Sequence, residues 1–428
     1  MTSAGTRTQV FAPVVESINA SIGGLTKAFA AENYTLYIVG GAVRDLWLGA
    51  GRDGDDIDLT TDATPDEILR IARPFAEAVW TQGQRFGTIG LVVADKTVEI
   101  TTHRAEVYAS ESRKPGVVFG TSLREDLARR DFTINAVAVS LIDGSVHDPF
   151  SGLEDLDARL LRTPLSPEVS FGDDPLRIMR AARFISRFEL SCTPELMAAA
   201  RLRAERMTIV SAERVHAEFE RLLDLDAPEP GLRFLFDTGI GAQIFPTLLA
   251  DKEAAITLAS SLASRLSRRA GFFSPLGENA RAVLRDLKYS TADQHQTMDL
   301  IMGFVRANSY DGTDVSVRSL VSQVSLALMP ELLDLLSAWT NTLASGGDAA
   351  RFCQFAEHFE RLAAIENLAD MEVPLSGADI MTLLDIKPSR QVGAAMRYLR
   401  TQRLERGPLT SAEATELLLA WHSDRRER

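Results

Sequence analysis

Between residues 35 and 150 the apolar positions recur in short alternating runs, the pattern of half-buried strands. Leu36 to Val39 is one such run and ends in Gly40-Gly41. Ile57 and Leu59 alternate with Asp56 and Asp58. Thr88 to Val93 and Thr97 to Thr101 read as a hairpin around Asp95-Lys96, and Ile134 to Ile142 as a further strand. Thr64-Pro65-Asp66-Glu67 is a helix start: a capping threonine, proline at the first position, glutamate at the third. After about residue 150 the period changes to that of helices. Leu176 to Phe188 carries apolar and arginine positions at helical spacing, and Ser211 to Leu223 is a second such segment. Helical stretches fill the chain from 240 onward, interrupted near Phe273-Ser274-Pro275, Gly312-Thr313 and Gly346-Gly347. Thr410 and Glu413 form another capping box in what reads as a small C-terminal helical bundle.

A chain of 428 residues has room for two to four domains, at roughly 150 residues each. Hydrophobic residues make up 45% and charged residues 25%, the balance of a soluble globular protein. No apolar run approaches the ~20 residues that span a bilayer. No basic start followed by an apolar stretch opens the chain, so no membrane partner and a cytoplasmic location are expected. Cys192 and Cys353 lie far apart and form no ligand cluster, which fits a reducing setting. The net charge of −13 argues against indiscriminate nucleic-acid binding through a basic coat. It leaves room for arginines gathered in one cleft.

Four clusters carry candidate chemistry. In Asp56-Ile57-Asp58 the two carboxylates share one face of a strand while the apolar residues face the core. They are either a solvated strand end or a pair held by a cation; Mg2+ suits hard oxygen ligands that share it with phosphate. Gly40-Gly41, with Arg44 and Asp45 following, is either a plain tight turn or a phosphate approach at a helix start. Glu99, on a later strand, is a candidate third carboxylate or an exposed strand residue. Arg129 and Arg130 are suited to triphosphate oxygens and Asp131 to a ribose hydroxyl, with Asn135 close by; a surface ion-pair group is the alternative. Asp173-Asp174-Pro175 suits a helix N-terminus. Arg177, Arg180 and Arg183, three apart, form a basic ridge along that helix and need an anionic partner, protein carboxylates or a nucleotide.

Taken in order, Gly40-Gly41-x-x-Arg44-Asp45, Asp56-x-Asp58, Arg129-Arg130-Asp131-x-x-x-Asn135, Asp148-Pro149-x-x-Gly152 and Asp173-Asp174-x-x-Arg177 resemble the successive motifs of class II tRNA nucleotidyltransferases. CCA-adding enzymes and bacterial poly(A) polymerases share this set. Glu213-Arg214 and Glu218 resemble the motif that follows, and Pro374–Trp421 is more weakly similar to the tail of actinobacterial CCA-adding enzymes. The resemblance implies an α+β fold: a polymerase-β-type nucleotidyltransferase head (1–150), then an all-helical neck with base recognition (151–240), body (241–366) and tRNA-binding tail (367–428). It implies Mg2+ on Asp56 and Asp58, with Glu99 as the third catalytic carboxylate. Ribose and triphosphate contacts fall to Gly41, Arg44, Arg129, Arg130, Asp131 and Asn135. Base contacts fall to Asp174 and Arg177, with Arg180, Arg183 and Arg214 nearby. The implied partners are tRNA, ATP and CTP. Related actinobacterial enzymes often carry a histidine-rich phosphohydrolase domain. Here His147-Asp148 belongs to the Asp-Pro motif and His295 is the single histidine between residues 225 and 350, so that activity is not expected.

The reading is therefore template-independent addition of C and A to the 3′ end of tRNA, releasing pyrophosphate. Poly(A) synthesis, partial A-only or CC-only addition, and an inactive RNA-binding relative are the alternatives, and the oligomeric state stays open.

Overall fold

In the structure, a computed structural model, residues 4–22, 24–49, 57–107, 116–120, 122–344 and 347–426 are described. The chain forms two compact units, one of residues 1–210 with 234–243, the other of 211–233 with 244–428. Asp56 lies outside the described residues.

The first unit is built on seven strands. They are β1 (Tyr37–Val39), β2 (Ile57–Thr61), β3 (Ala78–Trp80), β4 (Thr88–Val93) and β5 (Lys96–Thr102), joined by β8 (Ala138–Ser140) and β9 (Val146–His147). Between the two groups a separate antiparallel pair forms, β6 (Arg104–Val107) and β7 (Gly116–Phe119). The sheet order is β3-β4-β5-β2-β1-β8-β9, antiparallel except for β2 with β5. One face buries Ile57, Leu59, Ile89, Leu91, Val98 and Ile100, each at most 1% exposed. Burial of this alternate set fixes the register, because a one-residue slip would place all of it in water.

Nine helices are described in this unit up to residue 203: α1 (Ala4–Ser21), α2 (Leu25–Ala31), α3 (Gly41–Trp47), α4 (Pro65–Ala72), α5 (Leu123–Ala128), α6 (Gly152–Asp157), α7 (Pro167–Asp173), α8 (Leu176–Phe188) and α9 (Pro194–Arg203). At α4 the capping box forms as read: Thr64 N donates to Glu67 Oε2 at 2.7 Å, and Glu67 N to Thr64 Oγ1.

Three local expectations change. The β4–β5 turn centres on Ala94-Asp95, one residue early. Both have positive φ (51° and 60°), as a two-residue hairpin requires to match strand twist. The strand expected from Ile134 starts only at Ala138, because Thr133–Asn135 is a 3-10 turn. Thr133 N is drawn to Arg162 O at 2.9 Å, and the Asn135 side chain is committed elsewhere. The region after 150 is not wholly helical: Leu160–Leu161 (β10) pairs in parallel with Ser191–Cys192 (β11).

The second unit is helical throughout its described residues. Phe219, Phe245, Phe272 and Phe273 form an aromatic cluster with ring centroids 4.9–6.0 Å apart. Glu366 bridges two buried arginines, accepting from Arg318 Nε at 2.8 Å and Arg403 Nη1 at 3.5 Å. Leu375, Ile380, Leu384, Ala395, Leu399, Ala414 and Leu418 make a separate C-terminal core. The Thr410–Glu413 capping box is present, with Thr410 N donating to Glu413 Oε2 at 2.8 Å. Among the described residues no single helix is long and apolar enough to cross a membrane.

Candidate active site

Asp58 and Glu99 lie directly opposite each other across the β2–β5 pair, both exposed on the face away from the core. Residues opposite in register project to the same side, so the two carboxylates are neighbours. They are hard oxygen donors of the kind Mg2+ takes. Asp56 is outside the described residues; among the described residues no group of three or more metal-ligating side chains gathers.

One strand further along the sheet, β1 leads through Gly40 into α3. Gly40 has φ 72° and ψ −130°, and a β-carbon there would stand 3.1 Å from Arg130 Nη1. The backbone conformation is what requires glycine here. Arg44, on α3, is 5% exposed. Its Nη1 donates to Asn135 Oδ1 at 2.5 Å and its Nε to Asp45 at 2.8 Å. The guanidinium also lies over the rings of Phe188 and Phe184, 4.4 and 5.3 Å from their centroids. Asn135 passes the connection on, donating from Nδ2 to Asp131 Oδ1 at 3.0 Å.

Asp131 joins the sheet to the helices. Its Oδ2 accepts from Arg180 Nε at 2.8 Å and Nη2 at 2.6 Å, and its Oδ1 from Phe132 N at 2.9 Å. Burial pushes this carboxyl's pKa upward, but the Arg180 charge and three residues' hydrogen bonds outweigh it and hold it below the ordinary value. Arg129 and Arg130 have an anchor that sequence reading missed. The buried Asp126 accepts from Arg129 Nε and Nη2 at 3.1 and 3.0 Å and from Arg130 Nη2 at 3.1 Å. Burial raises its pKa, and the two arginines bring it below the usual range. The spacing of three and four residues from Asp126 on a helix was the available signal.

Arg177 donates from Nη2 to Arg129 O at 2.6 Å and from Nη1 to the buried Ser170 Oγ at 2.8 Å. It thus satisfies a carbonyl at the C-terminus of α5, where no intrahelical donor exists. Asp174 caps α8 through Oδ1, which accepts from Leu176 N at 3.1 Å. Asp173, expected at a helix N-terminus, is instead the last residue of α7, a helix the sequence reading did not identify. Arg183 is 8% exposed, its guanidinium 4.5 Å from the Phe184 ring centroid. The structure therefore brings Gly41, Arg44, Arg129, Arg130, Asp131, Asn135, Arg177 and Arg180 into one connected region, with Asp174 and Arg183 on its helices. Arg214 lies on the helix Ala212–Leu223 of the second unit.

The Asp148-Pro149-x-x-Gly152 motif shapes the start of α6. Asp148 accepts from Gly152 N at 2.6 Å and Leu153 N at 3.1 Å, capping α6. A β-carbon at Gly152 would stand 2.0 Å from Thr133 O, so only glycine allows α6 to approach.

Residues 36–162 match the family described as "Poly A polymerase head domain", and residues 189–252 that described as "Probable RNA and SrmB- binding site of polymerase A". The chain is 30% identical over 394 residues to a CCA-adding enzyme of Bacillus velezensis, covering 90% of this chain and 94% of that one. It is 42% identical over 208 residues to the CCA-adding enzyme of Levilactobacillus brevis, covering 48% and 51%. The solved structure of the Bacillus stearothermophilus CCA-adding enzyme in complex with CTP superposes with a TM-score of 0.74 at 25% identity, covering 98% of this chain and 99% of that one.

Proposed function

Because this chain belongs to the family of CCA-adding enzymes, we propose that its site transfers C and A from CTP and ATP to the 3′ end of tRNA in the following way. The RNA 3′-hydroxyl attacks the nucleotide α-phosphate, a new P–O bond forms, the bond to the β-phosphate oxygen breaks, and pyrophosphate leaves. The proton of the hydroxyl is lost to solvent. The observation that carries this reading is the register placing Asp58 opposite Glu99 on the exposed sheet face, one strand from the turn that leads into the Arg44 helix. Asp56, Asp58 and Glu99 would hold Mg2+, which when bound neutralises phosphate charge and acidifies a hydroxyl. Arg129 and Arg130, fanned from one buried carboxylate, meet the triphosphate, and Arg44 and Asn135 set the nucleoside side of the same pocket. The protein's share is positioning and charge neutralisation.

Base choice falls to α8. Cytosine and adenine both present an exocyclic amine beside an acceptor ring nitrogen, whereas uracil and guanine present a carbonyl beside a ring N–H. An Asp174 acceptor and an Arg177 donor match the first order and leave buried polar groups unpaired against the second. The division into head (1–150), neck (151–240), body (241–366) and tRNA-binding tail (367–428) belongs to this reading. So does a cytoplasmic setting, supported by the two free cysteines.

The test supplies CTP and ATP, separately and together, to tRNAs lacking CCA, ending in CC, and complete. Sequential C, C, A addition that stops is expected; continued A addition to the complete tRNA would instead indicate poly(A) synthesis. Asp58→Ala should lower incorporation roughly a thousandfold. Asp174→Ala and Arg177→Ala should lower the CTP-over-UTP and ATP-over-GTP efficiency ratios; unchanged ratios in both variants would remove these residues from base recognition.

A further inference from the structure

The carboxylate face of the sheet continues past Glu99. Glu99 pairs in register with Gly90 on β4, and Gly90 with Trp80 on β3. Asp58, Glu99, Gly90 and Trp80 therefore form one row across four strands, all projecting to the same face. The Trp80 indole lies across Gly90: a β-carbon there would stand 1.9 Å from its Cε2 and 2.1 Å from its Nε1. Any side chain at position 90 would thus lift the ring away. Glycine keeps the half-buried indole flush with the sheet and beside the Glu99 row. With strands about 4.8 Å apart, the ring over β4 sits about 10 Å along the row from Asp58.

The direction matters. Arg44 follows β1 and Asn135 precedes β8 on the nucleoside side, and Arg130, which meets the triphosphate, has its Nη1 beside Gly40 at the end of β1, so the nucleotide-binding side chains stand on the β1–β8 side of Asp58. In phosphoryl transfer the attacking and leaving oxygens are roughly in line on opposite sides of the phosphorus. With the triphosphate on the β1–β8 side, the attacking RNA end must come from the β5–β4–β3 side, where Trp80 lies. Aromatic side chains bind single-stranded nucleic acid by stacking on bases, with little sequence preference. We propose that Trp80 is an acceptor-binding residue, the platform on which the 3′-terminal base of the tRNA stacks as its hydroxyl reaches the carboxylates. This rests on the transfer reaction proposed above. Sequence-tolerant stacking suits an acceptor whose last base changes with each addition.

The experiment uses the full-length protein and two tRNA acceptors lacking CCA, one intact and one with an abasic 3′-terminal nucleotide. Trp80→Leu still covers Gly90 but has no ring; Trp80→Phe keeps a smaller ring. For the intact acceptor, Trp80→Leu should raise KM about 5- to 100-fold with KM for CTP unchanged, and Trp80→Phe should recover most of the difference. For the abasic acceptor, wild type and both variants should converge. Thermal melts of the three proteins report folding separately. Equal losses on both acceptors, or no loss on either, would make Trp80 a packing residue only and overturn the proposal. Asp58→Ala run alongside separates the two ideas, because its activity tests the carboxylate site without reference to Trp80.

Discussion

Asp131 accepts four hydrogen bonds, two from Arg180 and one each from Asn135 and Phe132 N, with its side chain 10% exposed; these contacts explain why it stays ionised so near burial. Its pKa is lowered in the folded state, so as pH falls the unfolded chain takes up the proton first. The contribution of this carboxylate is then fully present above the unfolded value of about 4 and is lost as pH falls through the folded value. The gap in melting temperature between wild type and Asp131→Asn should be constant from pH 8 to 5 and shrink below about pH 4; a gap that shrinks near neutrality would contradict the assignment. Gly152 gives a test of sign. Helix propensity alone favours Gly152→Ala by up to about 1 kcal/mol. The Thr133 carbonyl 2.0 Å from the new β-carbon instead predicts a loss of about 1–3 kcal/mol, read from the urea midpoint. Asp148 and Gly152 were recognisable in the sequence as a motif, but their role as cap and close approach was not, because Thr133 is nineteen positions away and meets them only on folding.

At the scale of elements, α8 carries more than its amphipathic period suggests. Ile178, Met179, Ala182 and Ile185 bury one side, while Arg177 and Arg180 reach Arg129 O and Asp131 on the sheet-bearing part of the same unit. The equal spacing of Arg177, Arg180 and Arg183 read as one ridge. A repeat of three on a helix of 3.6 residues per turn rotates, so the arginines diverge: a helix carbonyl, a carboxylate, and a phenylalanine face. Arg180→Lys should therefore not be conservative. Lysine lacks the two parallel donors that hold Asp131, so the Asn135–Arg44 relay should loosen, with KM for CTP and ATP rising more than kcat falls. At α4, Thr64→Ala removes a cap that was legible from four residues, and should cost about 1 kcal/mol by thermal melting with kcat unchanged.

For the whole molecule, the net charge of −13 means that the tRNA of the proposed reaction must meet local rather than global positive charge. Lys387, Arg390, Arg397 and Arg400 are exposed on the C-terminal helical segment. The tRNA dissociation constant should rise with salt, and Arg397→Ala with Arg400→Ala should lower the log–log slope by up to about 2 if both meet phosphates; a salt-independent constant would contradict a basic contact surface. Strand alternation, the capping boxes, the change of period near 150 and the order of the polar motifs were all determined by the sequence alone, because each depends on residues within a few positions of one another. What only the tertiary structure decided were the pairings across long separations: Glu99 opposite Asp58, Asn135 between Arg44 and Asp131, Asp126 beneath two arginines, Trp80 over Gly90. Strand order and helix docking set these, and the physical reason is that burial of the apolar face fixes register and packing for the element as a whole, carrying its polar residues to partners that no local pattern encodes.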